Sequence, residues 1–489
     1  MSQDFNIKIR NATKWSAITE LAAKLVTPVS SMVLARLLTP EVFGIVATLT
    51  MIISFAEIFT DAGFQKYIVQ HEFTNDNCLL ESTNVAFWSN LIMSITIWIC
   101  IAFFCEPLAS LVGNPGLGYV IAIACISIPL EAFSSIQMAL YKRDFDFKTL
   151  FKVRVVVILI PLVITIPLAF IFRDFWALIL GTIAKDIVNA LLLTYYSRWK
   201  PSFYYSFSRL SEMLSFSLWS MVEQLTIWLN SYVDVFIVGL FLSAYYLGIY
   251  RTGCTTVTQI MGVVTAANTP VIFSTLSRLQ NKRTEFVEYF LKFQKMVGLL
   301  VIPIGMIFYY YSDLLVAILL GSQWGDACVL VSLWGITEAF KILFSNFCSE
   351  AFRALGRPKL SVVSQLIIIV FVIPVVYYSA KTGYTDLCVN RSLMKIVQIV
   401  IQCTILFLLT KLNPLKMFKN LIPEIIGCAM FVLIFNVSNL FGHSIVISIV
   451  SIFISFILYI LYLTIYNEEK YLLLKIFNNN ILQVKLTKK

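Results

Sequence analysis

Apolar residues run along this chain in long blocks separated by short polar stretches, and the blocks approach the roughly 20 residues that a helix needs to cross the hydrocarbon core of a bilayer. Fourteen such segments can be read: Lys14–Leu38, Glu41–Phe64, Leu79–Cys105, Leu117–Leu140, Lys152–Phe172, Phe175–Ser197, Leu210–Leu240, Ala244–Leu276, Val297–Tyr311, Ala327–Cys348, Leu360–Ala380, Leu387–Thr410, Ile422–Val437 and Ser444–Tyr466. The seventh and eighth are long, which tilting or bending would accommodate. Pro28, Pro129, Pro161, Pro167, Pro270, Pro303 and Pro374 fall inside spans, where proline is tolerated if neighbouring helices satisfy the freed carbonyl. The pattern predicts an all-α integral membrane protein of about 14 transmembrane helices.

Composition agrees with lipid as the solvent. The 489 residues are 59% hydrophobic and 13% charged, with mean hydropathy +0.84, against roughly 25% charged residues in a soluble domain. A net charge of +10 could suggest a nucleic-acid partner, but its distribution assigns it to topology. Twenty-six Lys and Arg fall in the loops and tail on the N-terminal side of the membrane, and only Arg173 and Lys381 in the loops opposite. By the positive-inside rule both termini are cytoplasmic, and nucleic acid is not expected. The first apolar segment carries Lys24 and Arg36 and no small-residue cleavage site, unlike a signal peptide. The ten cysteines lack C-x-x-C spacing and lie mostly in apolar runs, and His71 and His443 are far apart, so neither a disulfide framework nor a metal centre is expected. The longest loops hold about twenty residues, too few for a soluble catalytic domain. The chain is therefore not expected to be an enzyme, and no cofactor motif is present.

A shift of 204 residues superposes the first span on the seventh without gaps. Trp15-Ser16 falls on Trp219-Ser220, Leu21 on Leu225, Leu25 on Leu229, Leu38 on Leu242, Gly44-Ile45 on Gly248-Ile249 and Thr48 on Thr252. In both turns Thr or Ser would cap the following helix, and a glycine would let two helices approach closely. Six spans, an even number, separate the copies, so both halves point the same way. This predicts two six-helix lobes, 1–209 and 210–410, plus two C-terminal helices and a tail in 411–489, the parallel-repeat plan of transporters that rock about a central site.

Charges inside spans are functional candidates, because each costs a few kcal/mol at mid-membrane. Lys24, Arg36 and Arg251 on the first and eighth spans suit phosphate or carboxylate recognition in a central cavity. Lys341 and Lys395 are further candidates, although Lys341 lies three residues from Glu338 and Lys24 four from Glu20, and such pairs face one another on a helix. Lys185 adjoins Asp186, but sequence neighbours point in different directions. Lys14 and Arg154 lie near span ends, where they can snorkel. Glu57, Asp61, Glu131, Glu223 and Asp234 are buried acids that would serve ion coupling, by H+ exchange or by Na+ binding, or would act as partners to the cations.

Leu34-Ala-Arg-Leu-Leu-Thr-Pro-Glu-Val-Phe-Gly44, Phe59-Thr-Asp61-Ala-Gly63 and Ile68-Val-Gln70 resemble the start of bacterial polysaccharide flippases. Tyr141-Lys-Arg143-Asp-Phe145-Asp-Phe147, Asp234-Val-Phe-Ile-Val-Gly239, Leu247-Gly-Ile-Tyr250, Phe273-Ser-Thr-Leu-Ser-Arg278-Leu-Gln280 and Leu320-Gly321-Ser-Gln-Trp324 extend the likeness over most of the chain. The chain is similar to the polysaccharide transporter branch of the superfamily shared with multidrug extruders and the lipid II flippase. The resemblance implies alternating access and a lipid-linked anionic substrate, the undecaprenyl-diphosphate-linked repeat unit of O-antigen, capsule or exopolysaccharide. It also implies location in the bacterial inner membrane, with a polysaccharide polymerase and glycosyltransferases as partner candidates. Three alternatives stay open: a cation-coupled multidrug extruder, a lipid II flippase and, from another class, a membrane-embedded polymerase or ligase. The short outward loops weigh against the last.

Overall fold

The computed structural model describes residues 2–465 except 62 and 443, and within these ranges omits the side chains of 2–13, 17, 21, 61, 215–220, 223, 267 and 270. Among the described residues every regular element is helical. Thirteen helices are long and apolar enough to cross a membrane, and a fourteenth arises if Ala244–Ala266 and Val271–Arg278, bent by 51°, count as one span. The described residues thus hold 13 or 14 candidate spans in an all-α plan, in line with the expectation of about 14. The seventh differs from its expected form: Phe207–Phe241 is continuous over 35 residues, and Gln224–Phe241 is the stretch apolar enough to span.

The first compact unit comprises Met1–Gln259 together with Leu319–Trp324 and Gln365–Asn390. Here the Ser2–Leu37 helix packs along Phe147–Ile160, and Ser127–Arg143 lies against both Asp76–Phe103 and Phe175–Tyr196. A core of Phe64, Tyr67, Ile68, Phe87, Ile136 and Ala139 is buried, while Val163, Ile171 and Leu191 are exposed, as side chains solvated by lipid tails would be. A π-helical turn, Pro161–Thr165, interrupts the fifth span, where Pro161 and Pro167 break the regular ladder.

On the basic side of this unit the Tyr141–Phe147 motif acts as a clasp. The Arg143 guanidinium donates to the carbonyls of Ile68 (2.7 Å) and His71 (2.8 Å) and stacks over Phe73. These are end carbonyls of the Phe64–Gln70 helix, which lack intrahelical partners and favour a cation. Phe145 turns the chain with φ 59°, and Asp146 caps the next helix by accepting from the Thr149 amide at 3.1 Å. Beside the clasp, Tyr67 donates to Glu212 at 3.2 Å. Burial, reinforced by Glu212, pushes this phenol up to about 12, so it stays a donor throughout the physiological range.

On the opposite, base-poor side the repeat becomes a contact. A Cβ on Gly44 would overlap the Ala244 carbonyl oxygen and sit 2.7 Å from its carbon, while a Cβ on Gly248 would overlap the Pro40 oxygen and sit 2.8 Å from its carbon. Position 40 falls on 244, and 44 on 248, under the 204-residue shift. Each copy of the turn therefore receives the other's glycine. A second pair of contacts follows the same rule. Gly113 is pressed against the Gly239 carbonyl, and the 319–324 loop docks on the repeat-equivalent stretch from Ala35. There Gln323 donates to the Ala35 and Leu38 carbonyls at 2.7 Å, and the Trp324 indole donates to Ala35 at 2.7 Å. Carbonyls near the end of the first helix are satisfied by side chains from a loop nearly 300 residues away.

The second unit comprises Ile260–Ile318, Gly325–Ser364 and Arg391–Lys489. The Arg283–Tyr310 helix packs on Ala327–Lys341, and Ala429–Leu440 pairs with Ile445–Thr464. Tyr459 anchors that last pair by donating to the Leu299 carbonyl at 3.2 Å. Gln402 ties three segments together, accepting from Ser345 (2.9 Å) and Ser349 (3.2 Å) and donating to Ser364 (3.1 Å). Such bonds hold helices together where lipid supplies no hydrophobic drive.

The seam sets a stability test. Gly44→Ala or Gly248→Ala forces two backbones apart and is expected to cost about 1–3 kcal/mol, seen as a lower thermal unfolding midpoint in detergent. Gly262→Ala, where a Cβ meets nothing within 4 Å, should leave the midpoint unchanged or raise it.

Candidate functional site

Polar side chains of the first unit converge on a cavity of about 530 Å³. Glu57 enters from the Pro40–Asp61 helix, Asn90 from Asp76–Phe103, Glu131 from Ser127–Arg143, Arg154 from Phe147–Ile160, and Lys185 with Asp186 from Phe175–Tyr196. Serines and asparagines brace the wall: Asn90 donates to Ser135 at 2.6 Å and Asn189 to Ser134 at 3.3 Å. Glu57 and Glu131 line the same cavity from two different helices. Asp186 is buried and pairs with the Lys185 ammonium at 3.1 Å. Adjacent residues diverge on a helix, yet the flexible four-carbon stem of lysine lets its ammonium fold back. A polar, titratable cavity of this kind can hold protons or a small cation inside an apolar bundle.

A second charged centre lies within the second unit. Glu338 is clasped by Lys341 at 2.7 Å and Lys395 at 2.8 Å. Lys395 is 1% exposed, so its charge has no recourse to water, and it also donates to the Trp334 carbonyl at 3.2 Å and sits 3.4 Å from the Trp334 ring centroid. The Arg391 guanidinium approaches the same ring at 5.4 Å. Directly after Lys341 the helix loosens into a π turn, Ile342–Asn346, a feature often found at functional positions.

The remaining candidates are dispersed. Lys24 is half-buried on the first helix and Arg36 is exposed in its last turn, with its side chain beside Gly321. Arg251 is half-buried, donates to the Ser231 carbonyl at 3.3 Å and lies 5.0 Å from the Tyr232 ring centroid. Asp234 is buried and accepts from the Tyr250 hydroxyl at 2.7 Å, which joins two of the motifs noted in the sequence. The side chains of Glu223 and Asp61 lie outside the described residues. Among the described residues no group of three or more His, Cys, Asp or Glu could hold a metal ion. Two groupings escaped the sequence reading. The Lys395–Glu338 pair spans 57 positions and follows no helical spacing. The meeting of Glu57 with Glu131 depends on how the second and fourth spans pack.

Fold and charge placement define a multi-pass, all-α membrane protein with polar centres inside its bundles. The family described as "Polysaccharide biosynthesis protein" matches residues 33–329, more than half the chain, and the chain belongs to that family. Its relatives include the succinoglycan biosynthesis transport protein ExoT of Rhizobium meliloti, 24% identical over 68% of this chain and 67% of that one. They also include the teichuronic acid biosynthesis protein TuaB of Bacillus subtilis, 20% identical over 88% and 89%, and the lipopolysaccharide biosynthesis protein WzxC of Escherichia coli, 22% identical over 67% and 66%. Among solved structures, the lipid II flippase MurJ in an inward closed conformation matches with TM-score 0.75 at 14% identity, covering 94% of this chain and all of that one. An inward-facing multidrug transporter of the MATE family matches with TM-score 0.58 at 15% identity, covering 81% and 99%. At these identities the structural matches speak to the fold.

The Glu338 clasp can be dissected by a double-mutant cycle. Glu338→Gln leaves two ammoniums without their shared carboxylate and should cost about 3 kcal/mol. Adding Lys395→Met removes the more deeply buried of those two charges and should restore part of that loss, read by thermal unfolding of the purified chain.

Proposed function

We propose that this chain is a flippase that carries an undecaprenyl-diphosphate-linked oligosaccharide repeat unit across the bacterial inner membrane for surface polysaccharide assembly, with both termini in the cytoplasm. The observation that carries the reading is the family match to polysaccharide biosynthesis proteins across residues 33–329, in a chain that keeps charged centres inside its helical bundles. The relatives' names support it, since one is a transport protein of succinoglycan biosynthesis.

In this reading the two six-helix lobes, 1–209 and 210–410, alternate access about a central path. Lys24, Arg36 and Arg251, together with whatever positive charge Lys341 and Lys395 retain beyond Glu338, meet the diphosphate and acidic sugars while the lipid tail stays in the bilayer. Two cations on one carboxylate leave a net positive charge, so the clasp still attracts an anion. The base-poor seam of Gly44, Gly248 and Trp324 would be the outer gate, opening when the lobes rock. Glu57, beside Glu131 and Asp186, is the preferred ion-coupling residue. A proton or Na+ entering that cavity changes its charge and thereby the balance between the two access states. Asp61, Glu223 and Asp234 are secondary coupling candidates, and a polymerase and glycosyltransferases would take and supply the substrate.

Cells lacking the protein should lose surface polymer and accumulate undecaprenyl-diphosphate oligosaccharide on the cytoplasmic face. Normal polymer with hypersensitivity to cationic drugs would instead identify a drug extruder. In complemented cells, Glu57→Gln should reduce polymer by about tenfold or more, the weight of a lost general acid–base group, at unchanged protein level. Arg36→Ala with Arg251→Ala should do likewise, and full export by that stably inserted pair would refute the cationic path.

A further inference from the structure

A larger cavity than the one proposed for ion coupling lies in the second unit, at the basic edge of the bundle. It measures about 920 Å³ and is bounded by the first turns of the Arg283–Tyr310 helix, the end of Tyr384–Thr410 and the short Pro414–Lys419 helix. Its wall carries Arg283, Lys292, Lys295, Lys411 and Lys416 against one acid, Glu288. Charge of one sign concentrated in a recess repels itself, and no element of the transport reading uses it.

The recess is built rather than incidental. Arg283 is fixed by donating through Nε to the Thr410 carbonyl at 2.6 Å, which ties its two main walls together. Lys411 turns the chain with φ 55°, a left-handed conformation that a lysine adopts only when its surroundings require it. Lys295 also lines the recess and is 8% exposed, so it does not sit on an open surface. Asn420 closes the floor by donating to the Leu291 carbonyl at 2.8 Å.

The flanking Pro414–Lys419 helix says what kind of molecule comes to this edge. Met417 is fully buried, yet Leu415 is 67% and Phe418 49% exposed, beside Lys416 and Lys419. Exposed apolar side chains interleaved with lysines suit the boundary between headgroups and tails, where the apolar groups dip into lipid and the cations meet phosphate. Soluble phosphate would gain nothing from Leu415 and Phe418, whereas a phospholipid engages both.

We propose that this recess is a binding site for the headgroup of an anionic phospholipid, phosphatidylglycerol or cardiolipin, held at the basic face of the membrane by Arg283, Lys292, Lys295, Lys411 and Lys416. Basic pockets at the cytoplasmic ends of membrane helices recognise such headgroups by the same combination of charge and depth. The site shares no residue with the proposed transport path and does not depend on the identity of the transported sugar.

The full chain, purified in mild detergent, is tested by native mass spectrometry and thermal unfolding with added phosphatidylglycerol, phosphatidylcholine or inorganic phosphate. Phosphatidylglycerol should bind and raise the unfolding midpoint, with phosphatidylcholine and millimolar phosphate having little effect. Lys292→Gln with Lys416→Gln should weaken phosphatidylglycerol binding by about tenfold, given the contribution of each basic residue at an anionic surface. Arg357→Gln with Lys359→Gln, an equal charge change at exposed positions outside the recess, should leave binding as it was. Equal binding of both lipids, equal loss in the two double variants, or displacement by inorganic phosphate alone would each overturn the proposal. If the Lys292/Lys416 pair fails to fold, Lys416→Gln alone, on an exposed side chain, carries the same comparison.

Discussion

The structure depends on two backbones touching where no side chain can intervene. At Gly44 and Gly248 the helix following each repeat's first turn lies so close to its counterpart that a single methyl group would overlap a carbonyl oxygen. Lipid offers no hydrophobic drive to press helices together, so close approach and the dispersion it allows must do so. Everything nearby is arranged to support that approach. Gly113 repeats the device against Gly239, and Gln323 and Trp324 cover carbonyls that the crowded helix end would otherwise leave unmet. Without this seam, the Leu319–Trp324 loop would have no reason to belong to a unit built mostly from the first 259 residues.

Several charges inside the bundles follow a second constraint: they are matched or placed against polar surface. Glu338 is shared by two lysines, Asp186 folds back onto Lys185, and Arg251 rests against a ring and a carbonyl. The matching is incomplete by design of numbers, since one carboxylate facing two ammoniums keeps a positive residue. For the proposed role of attracting a diphosphate and later releasing it, such partial neutralisation serves better than bare cations, which bind tightly and are costly to bury.

Much of the fold was legible in the sequence because lipid imposes a long apolar period and a sidedness of charge. The spans and the bend in the eighth were readable, as was the need for close approach at Gly44 and Gly248. The partner of each glycine was not, since a repeat signal reveals equivalence and not contact. The site was less legible for the same reason. Lys341 with Glu338 follows helix spacing, but Lys395 reaches that acid from another helix. Arg143 looked like one more topology charge, while its guanidinium actually closes the end of the Phe64–Gln70 helix. Lys185 and Asp186, adjacent and thus expected to diverge, form a pair through the reach of the lysine stem.

The reciprocity of the seam has an evolutionary meaning. A surface in which position 44 meets 244 while 248 meets 40 has the self-complementarity of a twofold homodimer interface, here carried on one polypeptide. Joining the copies frees them to diverge elsewhere, as their dissimilar charges show, but not here. A larger residue accepted at one glycine would have to be matched by retreat of the opposing turn, which itself abuts the other glycine. The two turns are therefore coupled, since a larger side chain at either glycine presses on the turn that holds the other.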